Sequence, residues 1–248
     1  MPFQLGASKR AGHPHMIRRL IHAVKRRLLP PPEPPRFAGH YEEWQNRRVA
    51  AILRHYGPAW FQGKRLLELG AGYGDIGAHF TRLGAEVTCV EGREENVTVI
   101  GERYPQLQAI HRDLDGHWDI PGRWDIILHL GLLYHLSKPE ESLRLACAAT
   151  DQLVLETEVS DSRDPAFVAL PQENAGSYDQ SLSGIGSRPS PAFVERILAE
   201  CGMKHVRVED GTIDTVQLGM ASHCYSWPVK DSKRHGEGWR KFWFAVRE

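Results

Sequence analysis

Two histidines and a tyrosine stand close together in the stretch HLGLLYHL, residues 129–136, directly after the apolar run WDIIL. Neutral imidazole can ligate a metal or take a proton from a substrate, and a tyrosine hydroxyl can position one. His129 and His135 are six residues apart, and no Asp/Glu cluster in the chain has ligand spacing. Metal binding is therefore not expected. His129, Tyr134 and His135 remain as candidate catalytic residues, with His129 at the end of an apolar run, where ligands bind in open α/β sheets.

A second constellation lies upstream, in RLLELGAGYGDIG, residues 65–77. An apolar run delivers the chain to Gly70, and Gly70, Gly72 and Gly74 allow a tight turn with close backbone approach to a ligand. Asp75 is placed to cap the helix that follows. Seventeen residues after Gly74 comes Glu91, at the end of the next apolar run. An acid there can accept both hydroxyls of a ribose. GYGDIG also fits the dehydrogenase pattern G-x-G-x-x-G, but the run already ends at Gly70, so that register starts two residues late.

These residues need a scaffold, and the hydropathy pattern supplies one. From Tyr41 a helix reads YEEWQNRRVAAILRHYG. Apolar strands and amphipathic helices then alternate through KRLLEL, DIGAHFTRLG, EVTCVE, REENVTVIGERY, LQAIHRD, DIILHL, KPEESLRLACAA, QLVLETEV and SPAFVERILAECG. Such alternation predicts an α/β fold with a doubly wound, mostly parallel sheet. HVRVED and KFWFAVRE have no helical pattern between them, so the last strand is expected to be antiparallel. Two long connections, 159–189 and 210–239, are expected to be substrate loops of a domain spanning 37–248.

Residues 1–36 differ in character. They carry eight Lys/Arg and one acid, whereas the remainder carries 23 basic and 30 acidic residues, a net charge of −7. MIRRLIHAVKRRLL (16–29) has the spacing of a basic amphipathic helix, an N-terminal helical extension, and PPPEPP (30–35) a stiff spacer. This leader is expected to contact a membrane surface or a protein. The four cysteines show no paired spacing, which suits free thiols in a reducing cytoplasm. Neither a membrane span nor a signal peptide is apparent, and a cytoplasmic chain with peripheral membrane docking is expected.

The motifs together resemble the class I S-adenosylmethionine-dependent methyltransferases. ELGAGYG looks like their first motif, Glu91 like the ribose-binding acid, Asp113 in HRDLD like the third-strand acid, and DIILHLGLLYHL like the fourth-strand segment. The resemblance covers roughly residues 40–160 and implies a seven-stranded sheet with a reversed last hairpin. It implies S-adenosyl-L-methionine as cofactor and S-adenosyl-L-homocysteine as product. Implied cofactor contacts are Glu68, Gly70, Gly72, Gly74, Glu91, Asp113, Leu114 and His129, with Trp118 beside the adenine and Tyr41 and Trp44 closing from above.

His129-Leu130-Gly131-Leu132 replaces the Asp/Asn-Pro-Pro-Tyr/Phe of enzymes that methylate base amines and Gln amides, which argues against that chemistry. Tyr178 and Arg188 in the first loop, and His223, Tyr225 and Trp227 in the second, are candidate acceptor contacts. With Lys230, Lys233 and Arg234 they suit an anionic or glycosylated acceptor. The expected activity is methyl transfer to a small molecule or glycan at oxygen. The alternatives are a tRNA wobble-uridine modifying transferase, which the Tyr134-His135 and VLET (154–157) segments resemble, and a non-catalytic S-adenosylmethionine-binding subunit. Nucleic acid is the weaker partner, because the body is acidic.

Overall fold

Strand residues alternate between two faces, so the apolar runs of this chain must be covered by helices on both sides. A computed structural model describes residues 40–215 and 223–248. The expected leader helix and polyproline spacer lie outside the described residues. Among those described, no helix is long and apolar enough to cross a membrane.

Helix α1 (His40–Tyr56) comes first. It is followed by β1 (Arg65–Leu69), α2 (Asp75–Arg82), β2 (Glu86–Glu91), α3 (Glu94–Arg103), β3 (Gln108–His111) and β4 (Ile126–Leu130). The second half contains α4 (Pro139–Ala149), β5 (Gln152–Ser160), the two-residue strands β6 (Val168–Ala169) and β7 (Arg188–Pro189), α5 (Pro191–Glu200), β8 (Lys204–Arg207) and β9 (His235–Val246). Seven strands form one sheet in the order β3-β2-β1-β4-β5-β9-β8. β1 to β5 run parallel, and β9 is antiparallel to both its neighbours. The expected sheet, with its reversed last strand, is what the chain forms.

Two cores follow from the alternation. Leu67, Leu69, Ile127 and Leu155 face α4 and α5, where they meet Leu143, Phe193, Val194 and Ile197. Leu66, Cys89, Leu128 and Val154 face the other way, against Ile52 of α1 and Ile76 and Phe80 of α2. Helix α1 ends at Gly57, whose φ of 81° few other residues adopt.

The expected loops are more structured than their polarity suggests. β9 begins at His235, six residues before the apolar run, because β5 continues through Glu156–Ser160 and gives it a partner. The first connection contains the β6–β7 ladder. Residues 230–232 wrap the buried Asp161: its carboxylate accepts Lys230 N at 2.6 Å, Asp231 N at 3.0 Å, Ser232 N at 3.0 Å and Ser232 Oγ at 2.6 Å. Burial alone would raise this carboxyl, but the four hydrogen bonds win and hold it at about 2.

The pairing of β5 with β9 sets Glu158 opposite Arg240 and Glu156 opposite Phe242. From there a chain of buried charges crosses the molecule. Arg240 Nη1 donates to Glu156 Oε1 at 3.0 Å and Arg240 Nη2 to Glu158 Oε1 at 3.1 Å. Arg48 of α1 reaches the other oxygen of Glu156. Arg188 Nε pairs with Glu158 Oε2 at 2.6 Å, and its Nη1 with Glu173 Oε1 at 3.1 Å. Three arginines thus balance three glutamates. Burial pushes Glu156 up, yet Arg48 and Arg240 outweigh it and keep the carboxyl below its ordinary range.

Two stability outcomes follow. Glu156→Ala leaves two buried guanidinium groups without their shared anion and should cost about 3–5 kcal/mol in chemical denaturation. Asp161→Asn should cost about 1–3 kcal/mol at neutral pH. Because the folded carboxyl sits below its ordinary 3.8, that contribution is present above pH 4 and lost as pH falls toward about 2. A difference between wild type and variant that is flat across this window would contradict the assignment.

Candidate active site

The glycine loop is built by backbone bonds before any side chain enters. Gly70 N and Ala71 N both donate to Val90 O, at 2.9 and 3.1 Å, which folds the end of β1 against β2. Gly70 has a φ of 70°. A Cβ there would stand 3.0 Å from Leu132, so glycine is needed for conformation and for space. Gly72 N donates to Glu91 Oε2 at 2.8 Å. Gly74, in the left-handed region, is itself the N-cap of α2. Asp75 does not cap the helix as expected; it accepts the Tyr104 hydroxyl at 2.5 Å and pairs with Arg103.

At the carboxyl ends of β1, β2 and β4 this loop opens into a cavity with about 1030 Å³ of empty space, its mouth included. The base carries Glu68, Gly70, Gly72 and Glu91, with Asp113 and Leu114 on one side. Leu132, Tyr134 and His135 follow β4, and α1 contributes Tyr41, Trp44, Gln45 and Arg48. The segment Tyr178–Leu182 of the first connection closes the remaining side.

Both carboxylates at the base are buried. Glu91 Oε1 accepts Arg93 N at 3.0 Å and Asn96 Nδ2 at 3.3 Å, besides the Gly72 bond on Oε2. Burial raises its pKa, and these donors pull the other way. Glu68 lies under the first turn of α2; burial pushes it up to about 8, opposed by hydrogen bonds from the Cys89 thiol and Gly77 N–H. Gly77 is needed here, because a Cβ would come within 2.7 Å of Glu68 Oε2.

His129 is not where its position in the motif suggested. Residues 127 and 129 share the face of β4 that packs under α4, so the ring is fully buried and bonds Ser142 at 3.0 Å through Nε2. Burial lowers its pKa to about 4. It lies outside the cavity lining. Trp118 is likewise a core residue and not a cavity wall.

His135 does line the cavity, and its Nδ1 lies 2.7 Å from Glu173 Oε2. Tyr134 lines it too, with its ring 3.9 Å from that of His135 and its hydroxyl accepting from Arg240 at 3.0 Å.

The acceptor candidates divide. Tyr178 lines the cavity, whereas Arg188, His223, Tyr225 and Trp227 do not. Arg188 belongs to the buried charge chain described above. Tyr225 sits behind Trp44, donating to Glu156 Oε1 at 3.1 Å and accepting Trp44 Nε1 at 2.7 Å. The His223 ring packs tilted against Trp44 with centroids 4.0 Å apart, and Trp227 stacks on Trp239 at 5.2 Å. The basic residues Lys230, Lys233 and Arg234 are also outside the lining, so the reason for expecting an anionic acceptor falls away.

Tyr41 and Trp44, expected above the cofactor, line the cavity, and Gln45 and Arg48, which the motif reading passed over, share their face of α1, a spacing visible in the sequence. Arg93 had no such signal: its Nη2 donates to the carbonyls of Ala175, Ser177 and Gln180 at 3.3, 2.6 and 3.0 Å, over 80 residues away. Those bonds hold the closing segment on the mouth. Asp115 joins the loop after β3 to the one after β4 by accepting Ser137 N at 2.7 Å. Among the described residues, no three His, Cys, Asp or Glu side chains gather as metal ligands.

Comparison with known proteins agrees with this geometry. Residues 41–207 match the family described as "Methyltransferase domain". The N-terminal domain of EvdMO1, crystallised in the presence of S-adenosylhomocysteine and D-fucose, is 20% identical with a TM-score of 0.63, covering 93% of this chain and 96% of that one. Magnesium protoporphyrin IX methyltransferase from Synechocystis, with bound S-adenosylhomocysteine, is 13% identical with a TM-score of 0.57, covering 93% and 94%. The Burkholderia thailandensis 1,6-didemethyltoxoflavin N1-methyltransferase is 16% identical with a TM-score of 0.53, covering 98% and 94%. No curated protein sequence matches. The structural likeness carries the fold, and the family match spans well over half of the chain. The chain therefore belongs to the methyltransferase-domain family, within the class I S-adenosylmethionine-dependent methyltransferases.

Proposed function

We propose that this enzyme transfers a methyl group from S-adenosylmethionine to a hydroxyl of a neutral, sugar-like small molecule. The observation that carries the acceptor class is the composition of the upper cavity. It offers aromatic surfaces (Tyr41, Trp44, Tyr134, Tyr178) and polar side chains (Gln45, His135, Asp179), while both lining arginines are engaged elsewhere. Arg48 is paired with Glu156 and Arg93 with three carbonyls. Among the described residues lining the cavity, a phosphate or carboxylate on the acceptor would find no uncommitted Lys or Arg and would face Asp179. One structural neighbour was crystallised in the presence of a neutral sugar, D-fucose, which agrees with this reading.

The lower cavity fits the cofactor. Glu91 is the ribose acid, Gly70 and Gly72 bring the backbone close, Leu114 and Asp113 flank the adenine, and Glu68 lies toward the methionine part. The acid-rich wall also suits a ligand bearing a sulfonium and an ammonium. S-adenosylmethionine brings an activated methyl with a good leaving group, so the chain's part is alignment, exclusion of water and removal of a proton. His135 takes the hydroxyl proton. Tyr178 and the closing segment hold the acceptor, and the Arg93 clamp keeps that segment over it.

Glu91→Ala and Gly72→Asp should each weaken S-adenosylhomocysteine binding by about 100-fold or more in calorimetry, while circular dichroism shows a folded chain. Unchanged affinity in folded Gly72→Asp protein would remove the cofactor assignment. With methyl-labelled S-adenosylmethionine and a panel of neutral and phosphorylated sugars, label should enter the neutral ones. Transfer confined to phosphorylated members would overturn the acceptor class.

A further inference from the structure

His135, the proposed proton acceptor, is held by a buried carboxylate from a distant segment. Its Nδ1 faces Glu173 Oε2 at 2.7 Å, and among the described residues its Nε2 makes no hydrogen bond. Glu173 comes from the connection after β6, 38 residues from His135, and its side chain is 3% exposed. That carboxylate is fixed on every side: Oε2 also accepts Ser181 N at 2.7 Å, and Oε1 accepts Arg188 Nη1 at 3.1 Å. Arg188 Nη1 in turn donates to Tyr134 O at 2.8 Å, the carbonyl of the peptide that leads into His135. A Cβ on Gly186 would fall 2.2 Å from Glu173 Oε1, so the backbone there closes directly over the carboxylate. Burial raises Glu173, but the bond from His135, with Ser181 N and Arg188, keeps it below its ordinary range and therefore ionised.

An ionised carboxylate only accepts, so Nδ1 of His135 must carry the proton in this pair. The neutral ring then has its lone pair on Nε2, the nitrogen that makes no bond to the protein. We infer that Glu173 is a positioning residue: it fixes His135 as the Nδ1–H tautomer and leaves Nε2 as the proton acceptor for a substrate hydroxyl. The inference rests on the proposed hydroxyl acceptor for its purpose, though not for the tautomer itself. In the transfer the acceptor oxygen joins the methyl carbon, and the carbon–sulfur bond breaks with its electron pair left on sulfur. The hydroxyl proton ends on Nε2, giving an imidazolium beside Glu173. The same carboxylate also holds the closing segment through Ser181, so seating the lid and setting the tautomer are one arrangement.

The tautomer can be read without knowing the acceptor. In full-length protein labelled with 15N-histidine and saturated with S-adenosylhomocysteine, long-range 15N–1H spectra at neutral pH should show His135 protonated at Nδ1, with His135→Gln identifying the signals. Glu173→Gln should lose that preference, and Glu173→Asp should keep part of it. With any neutral sugar that the enzyme methylates, Glu173→Gln should lower kcat about 10²-fold or more with KM for the sugar nearly unchanged. A wild-type His135 protonated at Nε2 overturns the inference. So does a Glu173→Gln protein with native tautomer and native kcat. A panel in which no neutral sugar is methylated counts against the acceptor class alone, since the spectra still decide the role of Glu173.

Discussion

The buried pairing of Glu156 with Arg48 and Arg240 is the constraint on which the cavity depends. Two guanidinium groups and one carboxylate, all nearly inaccessible, come from three separate elements: α1, β5 and β9. Taking such charges out of water costs several kcal/mol each, and only mutual pairing with full hydrogen bonding offsets it. The arrangement therefore tolerates little displacement. It fixes the start of α1 over the ends of β4 and β5, which puts Tyr41, Trp44 and Gln45 into the upper wall. The guanidinium carbons of Arg48 and Arg240 lie 3.5 and 4.4 Å from the centroid of the Trp44 ring, so the aromatic wall and the charge pair are one packed unit.

The same charge chain runs outward to the chemistry. Arg240 holds the Tyr134 hydroxyl, Glu158 passes to Arg188, Arg188 to Glu173, and Glu173 to His135. The side chains proposed to meet the acceptor are thus oriented by a network whose other end is the domain core. The half proposed for the cofactor is organised separately, through Val90 O and Glu91 gathering backbone N–H groups of the glycine loop and of Arg93. Arg93 joins the two halves, since it follows Glu91 by two residues and grips the segment that closes the mouth.

Much of this was legible in the sequence wherever the signal is local. Strand and helix periodicity predicts all seven sheet strands, and the spacing from Gly70 to Glu91 brings the lower cavity together. Legibility fails where burial or a distant partner decides. His129 sits at the right place in the motif, but strand alternation turns it under α4, away from the cavity. Tyr225 and Arg188 have the residue types of binding groups, and the charge network absorbs them instead. Lys230, Lys233 and Arg234 mark a loop that is tied to Asp161, a contact spanning about 70 positions. Glu173 and Arg93 carry no local motif at all; their roles exist only once the first connection folds back over β2 and β4.

In the proposed reaction the glycine-loop half holds the cofactor with its sulfur turned toward His135. A crystal structure of the protein with S-adenosylhomocysteine tests it most directly. Both ribose hydroxyls should lie within hydrogen-bond distance of Glu91, about 2.6–3.2 Å, with the sulfur facing the space between His135, Tyr134 and Tyr178. A ribose bound away from Glu91, or a sulfur directed away from His135, would contradict it.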